Sequence, residues 1–300
     1  MQERTPAAAA NAEPPAKAER LASALLLDRP QAGVVVLTLN RPDARNSLSL
    51  KTIAELHVAI TGLATDRTVS AIVLAAMGPA FCAGHDLKEL LGGEEHWSAL
   101  RATPEGKLHH EQVMYFDRCV RIRDFPKPTI AAVQGACSAA GLMLACMCDL
   151  IVAADDARFS NPVLRMSGVG VELLIEPWEL GPRKAKEFLF CAQTFSAAEA
   201  ERYGLVNRVV ARAELESAAR EMADKVALVP PLTAEMVKES INHMVDGMGQ
   251  RESWRYHFML HQFVSNTPTA LAKVEARKQG GMDAVKREQG KSARRPQAEH

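Results

Sequence analysis

Two loops of small residues, each between a buried strand pattern and an apolar helix pattern, constrain the fold of this chain most. The first loop, Phe81 to Leu87, follows the apolar run Val69 to Ala75. The second loop, Gln134 to Gly141, follows the apolar run Thr129 to Val133 and leads into an apolar helix. Strand, tight loop, helix and strand in succession are typical of a mostly parallel sheet flanked by helices. The sequence therefore predicts an α/β fold.

The remaining segments divide into a core, a helical region and two tails. We expect a disordered tail over residues 1–22, a core over 23–215, a helical region over 216–288 and a frayed tail over 289–300. Leu25–Leu27 and Val34–Leu39 form a hairpin pattern, and Ser49 is placed to cap a helix that runs to about Ala64. Two apolar stripes mark the helical part: Leu215, Ala218, Ala219, Met222 and Val226, then Met236, Ile241, Met244 and Met248. Such stripes need a surface to cover them, and a partner subunit is the expected one.

Composition excludes several kinds of partner. The 36 Lys and Arg residues balance 36 Asp and Glu, so no net charge favours nucleic acid or an anionic membrane surface. No apolar run reaches about 18 residues, which predicts no membrane span. The sequence has no GxGxxG or P-loop motif for a nucleotide cofactor. The six cysteines show no CxxC or zinc-type spacing, so we expect no metal, and free buried thiols in a cytoplasmic protein.

The two loops also carry a chemical possibility. A small-residue loop that enters a helix leaves backbone N–H groups free at the positive end of that helix. Two such ends that meet at one point could hold a negatively charged oxygen. Either loop alone is equally well explained by tight packing of a strand against a helix.

In this order and spacing, the motifs resemble those of the enoyl-CoA hydratase/isomerase (crotonase) superfamily over roughly Ser23 to Ala270. The segments that carry the resemblance are Asn40-Arg41-Pro42 with Asn46-Ser47-Leu48, Ala80 to Leu87, Lys127-Pro128 through Gly135 to Cys148-Asp149, Phe195 to Ala200, and Gly204 to Val210. The resemblance implies a ββα spiral core, with a helical C-terminal region that supports homotrimers or homohexamers. It also implies an acyl-CoA thioester as substrate, with coenzyme A as part of that substrate and no separate cofactor.

The resemblance further implies where the thioester would bind. Its carbonyl oxygen would lie between the backbone N–H groups of His85 and Ala140. Arg41 and Arg45 would lie near the coenzyme A phosphates, although a plain surface role is equally open for both. The residues expected to contact coenzyme A are Arg41, Asp43, Ala44, Arg45, Ala83, Asp86 and Leu87.

The sequence departs from the hydratase pattern at its two catalytic glutamates. Met143 occupies the position of the first glutamate and Val163 that of the second. Neither side chain can move a proton, so the ordinary two-glutamate hydration of a double bond is not available.

Other carboxylates could replace them. Glu172 falls, allowing about one inserted residue, near the essential Asp of related dienoyl-CoA isomerases and 4-chlorobenzoyl-CoA dehalogenases. Its apolar neighbours would raise its pKa toward the range of acid/base work. Glu111 and Tyr115 share a helix face that would line the acyl pocket. A surface or ion-paired role remains open for each of the three.

Three functions fit this pattern. The first is an acyl-CoA lyase or isomerase with Glu172 as its acid/base. The second is a thioester hydrolase or decarboxylase on the same scaffold, which needs the paired N–H groups but fewer side chains. The third is a non-catalytic acyl-CoA-binding or assembly protein.

Overall fold

The computed structural model describes residues 23–92, 99, 101–166 and 168–290, so both predicted tails fall wholly or partly outside the described residues. Nine strands lie in this part of the chain: β1 Leu25–Gln31, β2 Gly33–Leu39, β3 Val69–Ala76, β4 Thr129–Val133, β5 Ala136–Ser138, β6 Leu150–Ala154, β7 Arg158–Ser160, β8 Thr194–Ser196 and β9 Arg208–Val210. The α-helices are α1 Leu50–Thr65, α2 Leu87–Gly92, α3 Pro104–Glu111, α4 Asp117–Arg123, α5 Ala140–Cys146, α6 Glu176–Phe190, α7 Ala197–Arg202, α8 Leu215–Ala227, α9 Pro231–Gly247, α10 Gln250–Ser265 and α11 Pro268–Gly290. None of the described helices is both long and apolar enough to cross a bilayer.

The strands form two sheets. The larger has the order β1-β2-β3-β4-β6-β9, with one antiparallel hairpin, β1-β2, and parallel pairing elsewhere. The smaller has the order β5-β7-β8. The predicted α/β class, hairpin and buried strands are confirmed, and the hydroxyl of Ser49 caps α1 by accepting from the Thr52 N–H.

One helix assigned to the oligomerisation region belongs to the core instead. The stripe of α8 that includes Leu215, Ala218 and Ala219 packs on the larger sheet, against residues such as Val73 and Ile130. The first apolar stripe is therefore covered within the chain, and the predicted boundary at residue 215 falls one helix too early. The apolar stripe of a helix indicates that one face is buried. It does not indicate whether that face packs on the chain's own sheet or on a partner subunit.

The second apolar stripe is not covered within the chain. In α9, Met236, Ile241, Met244 and Met248 are all exposed, and none of the residues of this helix is buried. Helices α10 and α11 instead fold back toward the carboxyl end of α3 and the loop before α6, where they close one side of the candidate site.

Candidate active site

The two small-residue loops meet directly. The Cys82 N–H donates to the carbonyl of Ala136, and the Ser138 N–H donates to the carbonyl of Cys82, at 3.1 and 2.9 Å. Gly141 permits this approach, because a Cβ there would lie only 2.3 Å from the Cys82 carbonyl oxygen. A cavity of about 230 Å³ opens beside this junction, and we call it the site cavity; among the residues that line it are Ala83, His85, Lys107, Glu111, Tyr115, Ser138, Glu172 and His261.

The backbone N–H of His85 points away from Leu48, the residue with which His85 pairs. Leu48 bonds on either side of His85: its N–H donates to the Gly84 carbonyl, and its carbonyl accepts from the Asp86 N–H. In a parallel bridge of this kind, the N–H and carbonyl of the central residue point the other way. Within the described part of the chain, no acceptor is found for the His85 N–H.

The second N–H comes from the start of α5. Ala140 is the first residue of this helix, so its N–H has no partner within the helix. The preceding residue, Ala139, adopts a φ of 50°, which is strained for a residue with a Cβ. The Ala139 N–H donates to the Ser160 carbonyl, which holds this strained turn in place. As with His85, the described residues offer no acceptor to the Ala140 N–H, so both donors remain available to a ligand oxygen.

Glu172 is buried in the wall of the same cavity. Its carboxylate Oε2 lies 3.5 Å from His85 Nε2, and neither atom has a hydrogen-bond partner among the described residues. The loop that carries Glu172 is fixed from α10, where His257 Nε2 lies 2.9 Å from the Val171 carbonyl and donates to it. Burial lowers the pKa of His257 to about 4, so the ring is neutral at pH 7 and has a proton for one nitrogen only. The predicted placement of Glu172 in the pocket is therefore seen in the structure.

Glu111 and Tyr115 also face the cavity, across a stretch of π-helix, Gln112–Phe116, that joins α3 to α4. Such wide turns are frequent at functional sites. The Tyr115 ring packs against the His85 ring at a tilt of 36°, with centroids 4.4 Å apart. Burial raises the pKa of Tyr115, so its hydroxyl stays protonated and can only donate or accept a hydrogen bond.

Glu111 is already held by several partners. Arg101 Nη2 and Gln262 Nε2 donate to its two oxygens at 3.0 and 2.6 Å, and His261 Nε2 lies 3.2 Å away. Burial raises the pKa of Glu111, but the His261 hydrogen bond and the charges of Lys107, His261 and Arg101 outweigh it and hold the pKa well below its usual value. Burial lowers the pKa of His261, but the hydrogen bond to Glu111 and the negative charges of Glu172 and Glu111 together outweigh it, so the net direction is upward. Glu111 is therefore a fixed anion and a poor proton carrier.

One cluster could offer ligand atoms to a metal ion. Single atoms of Glu111, Glu172 and His261 lie within 4.8 Å of one another. Arg101 and Lys107 already balance the charge of Glu111 there, at 3.0 and 3.9 Å. A dication would have to displace both cations, so the cluster is better described as an ion-pair network.

The residues predicted to bind coenzyme A divide into two groups. Ala83 and Leu87 line the site cavity. Asp43 and Ala44 form a short 3₁₀ turn, and Arg45, which follows it, is exposed and binds the loop through its carbonyl, which accepts from the Ala83 N–H at 3.0 Å. Asp43, Ala44 and Arg45 are thus joined to the cavity wall through Ala83 and do not line the cavity themselves.

Arg41 and Asp86, also predicted to contact coenzyme A, form an ion pair with each other. Arg41 Nη2 pairs with Asp86 Oδ2 at 2.8 Å, and its Nη1 donates to the Ser47 carbonyl. Asp86 Oδ1 accepts from the N–H of Lys88 and more weakly from that of Glu89, at the start of α2. This pair fixes the loop on which His85 lies, and it engages the guanidinium of Arg41.

The two positions at which the hydratase pattern has catalytic glutamates hold apolar side chains in the structure. Met143 is buried at the back of α5, and Val163 lines the site cavity. Glu176 and Glu179 lie elsewhere: Glu176 accepts from Asn161 Nδ2 at 2.6 Å, and Glu179 lines a separate cavity of about 540 Å³ beside Trp254. That larger cavity contains neither of the free N–H donors.

Four residues of the site were not identified from the sequence: Arg101, Lys107, His261 and Gln262. The sequence did not indicate that Arg101 and Lys107 face the site, because charged side chains usually face solvent. His257 and His261 are four residues apart on α10, so they share a helix face, and that spacing was a usable signal.

The fold and these loops agree with the relatives of the chain. The profile of the family described as enoyl-CoA hydratase/isomerase matches residues 29–279. The chain belongs to this family. It is 38% identical over 242 residues to a putative enoyl-CoA hydratase, EchA13, of Mycobacterium tuberculosis, an alignment that covers 76% of each chain.

Solved structures of the family show the same architecture. A probable enoyl-CoA hydratase from Mycobacterium smegmatis is 41% identical, with a TM-score of 0.76 over 83% of this chain and 96% of the other. An enoyl-CoA hydratase/isomerase from Xanthobacter autotrophicus is 29% identical, with a TM-score of 0.82 over 91% and 99%. The expected crotonase-type α/β core with a helical C-terminal region is confirmed, and the chain is an acyl-CoA enzyme of the hydratase/isomerase type.

Proposed function

We propose that this protein isomerises the double bond of an enoyl-CoA thioester, with Glu172 as its acid/base and the N–H groups of His85 and Ala140 as the oxyanion donors. One observation carries the proposal. Glu172, whose carboxylate has a buried oxygen without a hydrogen-bond partner among the described residues, lines the same small cavity as His85 and Ala139. The backbone N–H groups of His85 and of Ala140, the residue after Ala139, also find no acceptor among those residues.

Isomerisation suits a site with one available carboxylate. Glu172 would take a proton from C2 of a 3-enoyl thioester, and the electron pair would pass into a dienolate. The negative charge would lie on the thioester oxygen, between the two N–H donors, each worth about 3 kcal/mol in comparable sites. Glu172 would then return the proton to C4, which leaves the conjugated 2-enoyl thioester. Hydration needs a second group to activate water, and Met143, Val163 and the fully engaged Glu111 do not supply it.

A substrate panel tests this proposal. The protein is incubated with a 3-enoyl-CoA and, separately, with crotonyl-CoA, while the absorbance of the conjugated thioester is followed. We expect the signal to rise with the 3-enoyl thioester and to change little with crotonyl-CoA. Loss of the crotonyl signal at a comparable rate would show hydration and contradict the one-carboxylate mechanism. No change with either, together with tight binding, would favour the non-catalytic acyl-CoA-binding protein instead.

We also propose that the protein is a homotrimer or homohexamer built through α9. The exposed side chains of Met236, Ile241, Met244 and Met248 on this helix form a larger apolar patch than a monomer usually leaves in water. Light scattering at micromolar concentration should give three or six times the mass of the chain. A monomer mass would contradict the proposal.

A further inference from the structure

Lys107 is a half-buried cation in the wall of the site cavity. Its side chain is 16% exposed, and its nearest carboxylate oxygen, Glu111 Oε1, is 3.9 Å from Nζ. No acceptor lies within hydrogen-bond distance of Nζ among the described residues. An ammonium group carries three donors, and burying it without acceptors costs free energy. Burial accordingly lowers the pKa of Lys107.

Glu111 cannot supply the missing acceptor, because its oxygens are already engaged. Arg101 Nη2 donates to Oε1, while Gln262 and His261 hold Oε2. The Nε of Arg101 is buried and also has no partner among the described residues. This wall therefore presents more donors than the described residues satisfy.

The position of Lys107 relates it to the far end of a bound acyl group. The reacting end is marked by His85, whose ring lies 3.5 Å from Glu172. Ligand oxygens of Glu172 and Glu111 lie within 4.8 Å of each other, Lys107 Nζ lies 3.9 Å from Glu111 Oε1, and all three residues line the site cavity. An acyl group whose carbonyl oxygen is bound at His85 would thus extend toward Lys107.

The size and polarity of the cavity limit what this acyl group can be. About 230 Å³ accommodates a short chain, and a long hydrocarbon would not fit. A hydrocarbon end would also leave the Lys107 ammonium facing an apolar group with no acceptor, which costs free energy. A carboxylate end would supply that acceptor.

We propose that Lys107 binds a carboxylate at the far end of a short acyl group, so that the site takes CoA thioesters of dicarboxylic acids. The proposal rests on the proposed acyl-CoA function and adds the class of acyl group.

Calorimetry with two matched thioesters tests this proposal. Glutaconyl-CoA and 2-pentenoyl-CoA have the same number of carbons and the same double bond, and they differ only in the terminal carboxylate. Hydrogen bonds to charged groups are worth about 1.5–3 kcal/mol, so the wild-type protein should bind glutaconyl-CoA about tenfold to a hundredfold more tightly.

Substitution then assigns the preference to one residue. Lys107→Met keeps the length of the side chain but removes its charge, so it should weaken the binding of glutaconyl-CoA by about tenfold or more. Its affinity for 2-pentenoyl-CoA should stay within a few-fold of the wild-type value, which also shows that the variant is folded. Lys107→Arg should keep most of the preference. Lys186→Met, the same change at an exposed position on α6, is the matched control and should alter neither affinity.

Each other outcome has a distinct meaning. If the wild-type protein binds 2-pentenoyl-CoA as tightly as glutaconyl-CoA, the carboxylate proposal is wrong and the acyl-CoA function stands. If Lys107→Met keeps the preference, Lys107 is not the group that recognises the carboxylate. If neither thioester binds, the acyl-CoA function itself is wrong.

Discussion

Gly141→Ala should nearly abolish turnover, because it separates the two loops that carry the oxyanion donors. A Cβ at this position would lie 2.3 Å from the carbonyl oxygen of Cys82, whereas ordinary contacts begin at 3.4 Å. The opposing atom belongs to the backbone, so the strain cannot be relieved by a change of rotamer, and the loops must move apart by about 1 Å.

The size of the effect follows from this displacement. A misplacement of about 1 Å in a catalytic arrangement costs about 10²-fold in rate. Overpacking also costs about 1–3 kcal/mol of stability, so the unfolding temperature should fall. The assay is the initial rate of the 3-enoyl to 2-enoyl conversion, measured at a temperature where circular dichroism shows the variant to be folded.

Gly62→Ala is the matched control. Gly62 is exposed in α1, and a Cβ there would meet nothing within 4 Å. This change should raise stability by about 0.5–1 kcal/mol and leave the rate unchanged. Wild-type kcat in folded Gly141→Ala would refute the argument that the contact between the loops sets the donor geometry.

Two further predictions concern assembly and pH. Met244→Glu places a charge in the exposed apolar stripe of α9 and should dissociate the oligomer to monomers at micromolar concentration, as measured by light scattering; an unchanged mass would show that α9 lies outside the interface. Burial, together with the charge of Glu176, raises the pKa of Glu179 to about 7, so the folded state binds more protons than the unfolded state between about pH 4.5 and 7. The free energy of unfolding should therefore fall as pH rises through that window, and Glu179→Gln should be more stable than wild type by about 1–2 kcal/mol at pH 8 and no more stable at pH 4.5. Equal urea midpoints of the two proteins at pH 8 would contradict this.

The sequence predicted the parts of the fold that depend on local pattern. The strand Thr129–Val133 is buried at every position, as a strand covered on both faces must be, and its predicted ends agree with the structure. The cap at Ser49 was equally local, since it depends on one hydroxyl and the backbone three residues later. The donors at His85 and Ala140 were found through the resemblance, because small-residue loops alone do not distinguish an anion site from close packing.

The sequence could not predict contacts between residues that lie far apart along the chain. Glu111 meets His261 across 150 positions, and no pattern in either helix indicates that contact. The engagement of Arg41 with Asp86 was missed for the same reason, 45 positions apart. Helix α8 was assigned to the wrong region because an amphipathic stripe specifies that a face is buried but not by what.

The most direct test of the account is the rate of Glu172→Gln on a 3-enoyl-CoA substrate. The amide keeps the shape of the side chain but cannot accept the C2 proton, and positioned proton transfer is worth about 10²–10⁴-fold. Glu179→Gln, the same change at a carboxylate outside the site cavity, is the control and should keep nearly full turnover. We expect kcat of Glu172→Gln to fall by at least about 10²-fold, while its affinity for the thioester stays within a few-fold of the wild-type value. Full turnover by folded Glu172→Gln would contradict it.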